Sequence, residues 1–222
     1  MAIIVPAILE SEASQLQEKL AMVEAFKDLQ RMQIDFSDGK FTKYKTVSAA
    51  EIKGLPDGVL CEAHLMVENP QSYFAELKSA GFKLIIFHFE AVSPKELAEI
   101  AGVLRNMQML AGLAISTETP LQEVLPYLNL FDQVTLLTVV PGQQGQSMDP
   151  YSIERINELN SYLKFTGAAT KVEIDGGIHA KNIAFFAGLG VDYIVAGSAI
   201  FTSNKDSSPE QNFEALQKQA AV

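Results

Sequence analysis

The stretch TKVEIDGGIHAKNIAFFAGLGVDYIVA, residues 170–196, reads as a strand, a helix and a second strand. Thr170–Ile174 and Tyr193–Ala196 are short and rich in β-branched residues, and glycines bound both. Between them, Ala180–Leu189 has the length and composition of a helix, and Gly190 stops it. Two strands joined by a helix make a parallel βαβ unit. The same alternation continues outward to both ends of the chain. Strands are expected at Ile3–Leu9, Arg31–Phe36, Val59–Met66, Lys83–Phe89, Met109–Ile115 and Gln133–Val139. Helices are expected at Glu12–Phe26, Pro70–Ala80, Pro94–Asn106, Pro120–Leu128, Pro150–Leu163 and Pro209–Ala220. Asn69-Pro70, Ser93-Pro94, Thr119-Pro120, Asp149-Pro150 and Ser208-Pro209 each place a capping residue before proline. Only the second strand is followed by a loop-rich segment instead, running to Gly58. An open doubly wound sheet would show a similar alternation, but eight strands favour closure into an α/β, (β/α)8 TIM barrel. No linker or shift in composition divides residues 1–222, so one barrel domain is expected.

The 222 residues are 48% hydrophobic and 20% charged, enough to bury a substantial core. The net charge of −10 and pI near 4.8 argue against nucleic-acid and anionic-membrane partners. A bound phosphate would need local positive potential, which helix N-termini supply without Lys or Arg. Cys61 stands alone, expected as a small buried hydrophobe in a reducing compartment. The N-terminal apolar run is short and interrupted by Pro6, and no run approaches the ~20 residues of a membrane helix. A soluble, cytoplasmic protein is expected.

Barrel active sites lie at strand C-terminal ends, where carboxylates and imidazoles are informative. Side chains alternate along a strand, so Gln33, Asp35 and Ser37 share one face, as do Glu62, His64 and Met66, and Glu173 and Asp175. If these faces point inward, Asp35, His64 and Asp175 converge at the mouth as a divalent-cation site or an acid–base pair. His88 and Glu90 end the fourth strand and are readable as hydrogen-bonders to neighbouring strands. Asp38-Gly39 reads as turn chemistry, and His179 as a capping or exposed residue. Glycine turns follow the last three strands: Gly142 and Gly145 after the sixth, Gly176 and Gly177 after the seventh, and Gly197-Ser198 after the eighth. Loops after the last strands are where barrels commonly hold phosphate, which points to a phosphorylated small molecule.

The segments 33–41 (QIDFSDGKF), 64–70 (HLMVENP), 138–142 (TVVPG), 172–178 (VEIDGGI) and 195–201 (VAGSAIF) resemble, in order, the ribulose-phosphate 3-epimerase family. The resemblance implies a ribulose-phosphate-binding barrel that interconverts D-ribulose 5-phosphate and D-xylulose 5-phosphate through an enediolate at C3. It implies Asp35 and Asp175 as acid and base. It also implies a divalent metal (Zn, Fe or Mn) held by Asp35, His64 and Asp175. His64, Gly142, Gly145, Gly176, Gly177, Gly197 and Ser198 are then the substrate and phosphate contacts. Several positions depart from the family: Gln33 replaces a metal-binding His, Ala7 a Ser, and Ser37 and Leu137 two Met, while Gln143 and Gln144 replace Phe and Gly. Gln33 is thus a doubtful fourth ligand. A different phosphosugar isomerase or epimerase, or a non-catalytic sugar-phosphate binder, are the alternatives. Barrels of this kind often self-associate. Phe87, Phe89 or the loop after the second strand are candidate contacts of a homo-oligomer.

Overall fold

The structure is a computed structural model and describes residues 2–142, 146, 148–202 and 207–221. Eight parallel strands close in chain order: β1 (Ile3–Ile8), β2 (Arg31–Ser37), β3 (Leu60–Met66), β4 (Leu84–His88), β5 (Leu110–Ile115), β6 (Gln133–Leu137), β7 (Lys171–Asp175) and β8 (Tyr193–Ala196). β8 pairs back on β1, with Ile3 opposite Tyr193. The helices are α1 (Ala13–Val23), α2 (Phe74–Ala80), α3 (Leu97–Asn106), α4 (Leu121–Val124), α5 (Ser152–Thr166), α6 (Ile183–Ala187), α7 (Ser198–Phe201) and α8 (Pro209–Ala220). This is a TIM barrel, as the count of eight strands predicts. Between β2 and β3 there is only a 3-10 turn, Ala49–Glu51, matching the expected loop-rich segment. No helix among the described residues is long and apolar enough to cross a membrane.

Each strand is buried on both faces, and the two faces differ in chemistry. Along β2, Met32, Ile34 and Phe36 join the large cluster packed under the helices. Arg31, Gln33, Asp35 and Ser37 point the other way, into the barrel, and are buried too. The apolar part of the interior is small: Leu84, Ile86, Ala114 and Leu137 on one side, Val5, Ala7 and Val195 on the other. The rest of it is polar. Near the barrel floor Arg31 donates to Glu62 and to Gln133 Oε1 (2.7 Å), and its guanidinium lies 3.7 Å from the Tyr193 ring centre. Gln133 Nε2 and Thr135 Oγ1 donate to Glu173 Oε1 at 2.9 and 2.8 Å. Burial, with the Glu62 charge beside it, holds the Glu173 carboxyl well above the usual carboxylate range. Burial thus favours the neutral acid form of Glu173 beside the Arg31–Glu62 pair.

Of the five residues expected to cap helices before proline, Ser208 does so fully. Its side chain accepts from Gln211 N, and the Gln211 side chain accepts from Ser208 N in return. At Asp149 the side chain accepts from Tyr151 N, and α5 starts two residues later than the proline suggests. At Ser93, Glu96 caps the backbone and delays α3 to Leu97. At Asn69 the proline opens a 3-10 turn, Pro70–Tyr73, with no side-chain cap. β6 stops at Leu137, before the expected Val139, because Thr138 turns to the end of β7: its N–H donates to Asp175 O at 2.8 Å. Phe87 and Phe89 are buried, Phe87 edge-on to Phe131 at 5.8 Å, so neither offers a surface for self-association. Cys61 is buried as expected, and burial pushes its thiol up to about 12.

Gly112 keeps the interior of β5 open where Ile86 leans across it. A Cβ at that position would sit 2.8 Å from Ile86 Cγ1. Gly112→Ala is expected to destabilise the fold by about 1–3 kcal/mol through overpacking, measured by urea denaturation. Unchanged stability would mean that Ile86 has room to move.

Candidate active site

Strand register brings the predicted residues together. Asp35 on β2 is opposite His64 on β3, and Asp175 is the last residue of β7. Closure of the barrel carries β7 across to face them. Asp35 Oδ1 lies 3.1 Å and Asp175 Oδ2 3.4 Å from His64 Nδ1. Gln33, one inward position deeper on β2, reaches the same point: its Nε2 donates to Asp35 Oδ1 at 2.8 Å and to Asp175 Oδ2 at 2.9 Å. The same nitrogen is 3.4 Å from His64 Nδ1. Four side chains from three strands thus form one compact cluster.

His88 extends the cluster in a direction that strand periodicity alone does not reveal. Its Nε2 is 3.0 Å from His64 Nε2, and its Nδ1 is 3.1 Å from Glu90 Oε2. Glu90 Oε1 accepts in turn from Ser116 N and from Thr119 Oγ1. Both Nδ1 atoms face carboxylates and both need protons, while the two Nε2 atoms share one. Three protons on four nitrogens give the imidazole pair one positive charge. That charge resides on His64. Burial opposes it, but the hydrogen bonds that His64 donates to Asp175 and Asp35 outweigh burial and raise His64 to about 10. Burial and the neighbouring His64 charge lower His88, which stays neutral. Burial also raises Asp35, although His64 and Gln33 pull against it.

Asp35, His64 and Asp175 line a mouth cavity that is open to solvent. Gly142, Gly176, Gly177, Gly197 and Ser198 line the same cavity. Gly145, Gln143 and Gln144 lie outside the described residues. Two of the turns depend on glycine. Gly176 has φ +114°, and a Cβ there would meet Val139 Cγ2 at 2.3 Å. Gly142 has φ +96°, and a Cβ would meet Thr42 at 2.8 Å. Thr138 Oγ1 bonds Asp175 O (3.0 Å) and Gly176 O (2.6 Å), fixing the β7 turn to the end of β6. Thr138 was visible only as part of the TVVPG segment, and nothing local marked it as a clamp. No lysine or arginine is among the described lining residues. Ala7, Leu137 and Met66 line the cavity, whereas Ser37 turns aside to bond Thr42 Oγ1 and Tyr44 O, each at 2.7 Å. His179 is exposed in the loop before α6, as expected.

Asp35, His64 and Asp175 offer three ligand atoms within 4.8 Å of one another, the donor chemistry of a divalent-metal site. The fourth atom of the cluster does not match that chemistry. It is the Gln33 amide N–H2, a donor with no lone pair to give, hydrogen-bonded to both carboxylates. As these residues stand, the cluster does not fit an ion.

Comparison with known proteins agrees with this architecture. The model of the ribulose-phosphate 3 epimerase family matches residues 3–201. Ribulose-phosphate 3-epimerase of Schizosaccharomyces pombe is 30% identical over 219 residues, covering 96% of this chain and 91% of the relative. Ribulose-phosphate 3-epimerase of Escherichia coli K12 is 29% identical over 203 residues, covering 90% and 88%. Among solved structures, 3-hexulose-6-phosphate synthase from Salmonella typhimurium superposes with a TM-score of 0.70 at 14% identity, covering 98% of each chain. The 3-keto-L-gulonate-6-phosphate decarboxylase from Vibrio cholerae gives 0.67 at 12%, covering 99% and 97%. At such identities these structures support the fold alone.

Glu90 gives the cluster a testable pH dependence. Burial raises its carboxyl, but the bonds from His88, Thr119 and Ser116 N outweigh burial and hold it at about 2, against an ordinary 4.5. A depressed folded-state value means stability that is present above pH ~4.5 and is lost as the pH falls toward ~2. Wild type is expected to exceed Glu90→Gln by about 1 kcal/mol at pH 7, the scale of a partly solvated pair. The gap should shrink as pH falls below 4.5. Chemical denaturation of both proteins across pH 3–7 measures it, and a pH-independent gap would remove Glu90 from the relay.

Proposed function

Since the chain belongs to the ribulose-phosphate 3-epimerase family, we propose that it interconverts D-ribulose 5-phosphate and D-xylulose 5-phosphate by proton transfer at C3. One observation carries this reading: two carboxyl groups, Asp35 and Asp175, line one cavity from β2 and β7, together with glycine turns. Inverting a stereocentre takes a proton from one face of the carbon and returns one to the other. A single base cannot do this without rotating the substrate, and two carboxyls can.

In the proposed reaction one aspartate, ionised, removes the C3 proton. The electron pair moves onto the C2 oxygen to give an enediolate. The other aspartate, protonated, delivers its proton to the opposite face of C3. The reverse direction exchanges the roles. Burial of Asp35 favours its protonated form relative to a free carboxyl and suits it to the acid role in one direction. His64 places a positive charge beside the developing oxyanion, in a pocket with little water to screen it. The phosphate is assigned to the turns at Gly142, Gly176-Gly177 and Gly197-Ser198, where backbone N–H groups stand in for the missing cationic side chains. The buried thiol of Cys61 fits work in a reducing, cytoplasmic setting.

Deuterium incorporation at C3 of ribulose 5-phosphate in heavy water tests the reading. The wild-type protein is expected to exchange, and Asp35→Asn and Asp175→Asn are each expected to lose about 10²–10⁴-fold in rate. Exchange on another phosphosugar but not on ribulose 5-phosphate would assign a different isomerase. Thermal stabilisation by sugar phosphate without exchange on any of them would make the chain a binder.

A further inference from the structure

We infer that the cluster at the barrel mouth is closed by the Gln33 carboxamide instead of a divalent cation, so that this chain works as a metal-free member of its family. The inference rests on the reading of this cluster as the working site of an epimerase.

The geometry carries the argument. Gln33 Nε2 lies 2.8–3.4 Å from Asp35 Oδ1, Asp175 Oδ2 and His64 Nδ1, and His64 Nδ1 lies 3.1 and 3.4 Å from the two carboxylate oxygens. Four ligands around a tetrahedral ion with bonds of roughly 2.0–2.2 Å would stand about 3.3–3.6 Å apart. The cluster is drawn in closer than that, to hydrogen-bond spacing, and its fourth corner is a hydrogen-bond donor. Two carboxylates that would otherwise repel each other are held by one amide group, each through a charge-assisted bond. The other end of the same amide supplies a second, independent observation. Gln33 Oε1 is buried with no hydrogen-bond partner. In this orientation the amide directs its hydrogen-bonding capacity to the two carboxylates through its nitrogen.

An ion would reverse these preferences. Gln33 would have to turn over and present Oε1, exchanging two bonds to carboxylates for one neutral oxygen ligand. Its N–H2 would then occupy the place where Oε1 now finds nothing. His64 would also have to offer the Nδ1 lone pair while Asp35 and Asp175 still face it. A histidine at position 33 would remove the first difficulty, since a neutral imidazole brings a lone pair to the corner.

Metal content decides the matter without reference to activity. The wild-type protein is purified without chelator, dialysed against Zn²⁺ or Mn²⁺, desalted and analysed by plasma mass spectrometry. Gln33→His and Gln33→Glu are treated identically. Wild type is expected to retain under about 0.1 ion per chain, and at least one of the variants about 1. In calorimetric titration that variant should bind at least about tenfold more tightly than wild type. Either of two results overturns the inference: a wild-type protein holding near one ion per chain that Asp35→Asn removes, or folded variants that remain as metal-poor as wild type. C3 exchange on chelator-treated wild type separates this from the functional reading. Exchange at full rate with no ion supports both. Absence of exchange in metal-poor protein, with or without added ion, fails the substrate assignment alone. Exchange restored only by added ion fails the inference alone.

Discussion

A barrel interior cannot hold unbalanced charge, and that constraint organises this molecule. Asp35, Glu62, Glu173 and Asp175 all point inward or line the mouth, against one guanidinium, Arg31. A buried carboxylate without a partner costs several kcal/mol, comparable with the whole stability of a domain. The chain meets the constraint in two layers. Near the floor, Arg31 pairs with Glu62, while burial beside Glu62 favours the protonated form of Glu173, which accepts hydrogen bonds from Gln133 and Thr135. At the mouth, the shared proton of His64 and His88 and the amide of Gln33 serve Asp35 and Asp175. The lower layer is buried, with Arg31 and Gln133 bordering a hollow beneath it. The upper layer opens onto the cavity, where the same groups can exchange protons with something that enters.

The two layers bear on each other. Arg31 and Gln33 are successive inward residues of one strand, and Glu62 and His64 of the next. A shift of β2 against β3 by one residue would turn Gln33 and Asp35 outward under the helices. It would also bring Ile34 and Phe36 into the barrel. The Arg31–Glu62 pair therefore acts as a register lock for the chemistry above it. The apolar outer faces drive folding, and the polar inner faces select which pairing is allowed.

Much of this was legible in the sequence. Alternation of strand and helix gave the barrel, because β-branched runs and glycine stops are local signals that survive in any tertiary setting. Period two placed Asp35, His64 and Asp175 inward, because a strand has only two faces. Three things were not legible. The late starts of α3 and α5 depend on Glu96 and Asp149 bonding backbone N–H groups after a proline, a competition between turn and helix that residue type does not decide. The contact between His64 and His88 depends on how neighbouring strands tilt once the barrel closes. The orientation of the Gln33 side chain depends on β7 arriving from the far side of the molecule. The departure at position 33 was visible, but not that its amide would bond both carboxylates.

The acidity of the chain also reads differently once the cavity is known. A net charge of −10 opposes the approach of a sugar phosphate, yet at physiological salt that field decays within about 8 Å. What the phosphate meets in the proposed complex is set by the nearest groups. In the cavity those include the glycine turns, one of which, Gly176-Gly177, directly follows Asp175. Carboxylates must stand free to move protons, and a lysine near them would pair with them and hold them ionised. With no lysine or arginine among the described lining residues, Asp35 and Asp175 answer to His64 and Gln33. That composition suits the proposed acid–base pair, whose protons a neighbouring cation would hold back.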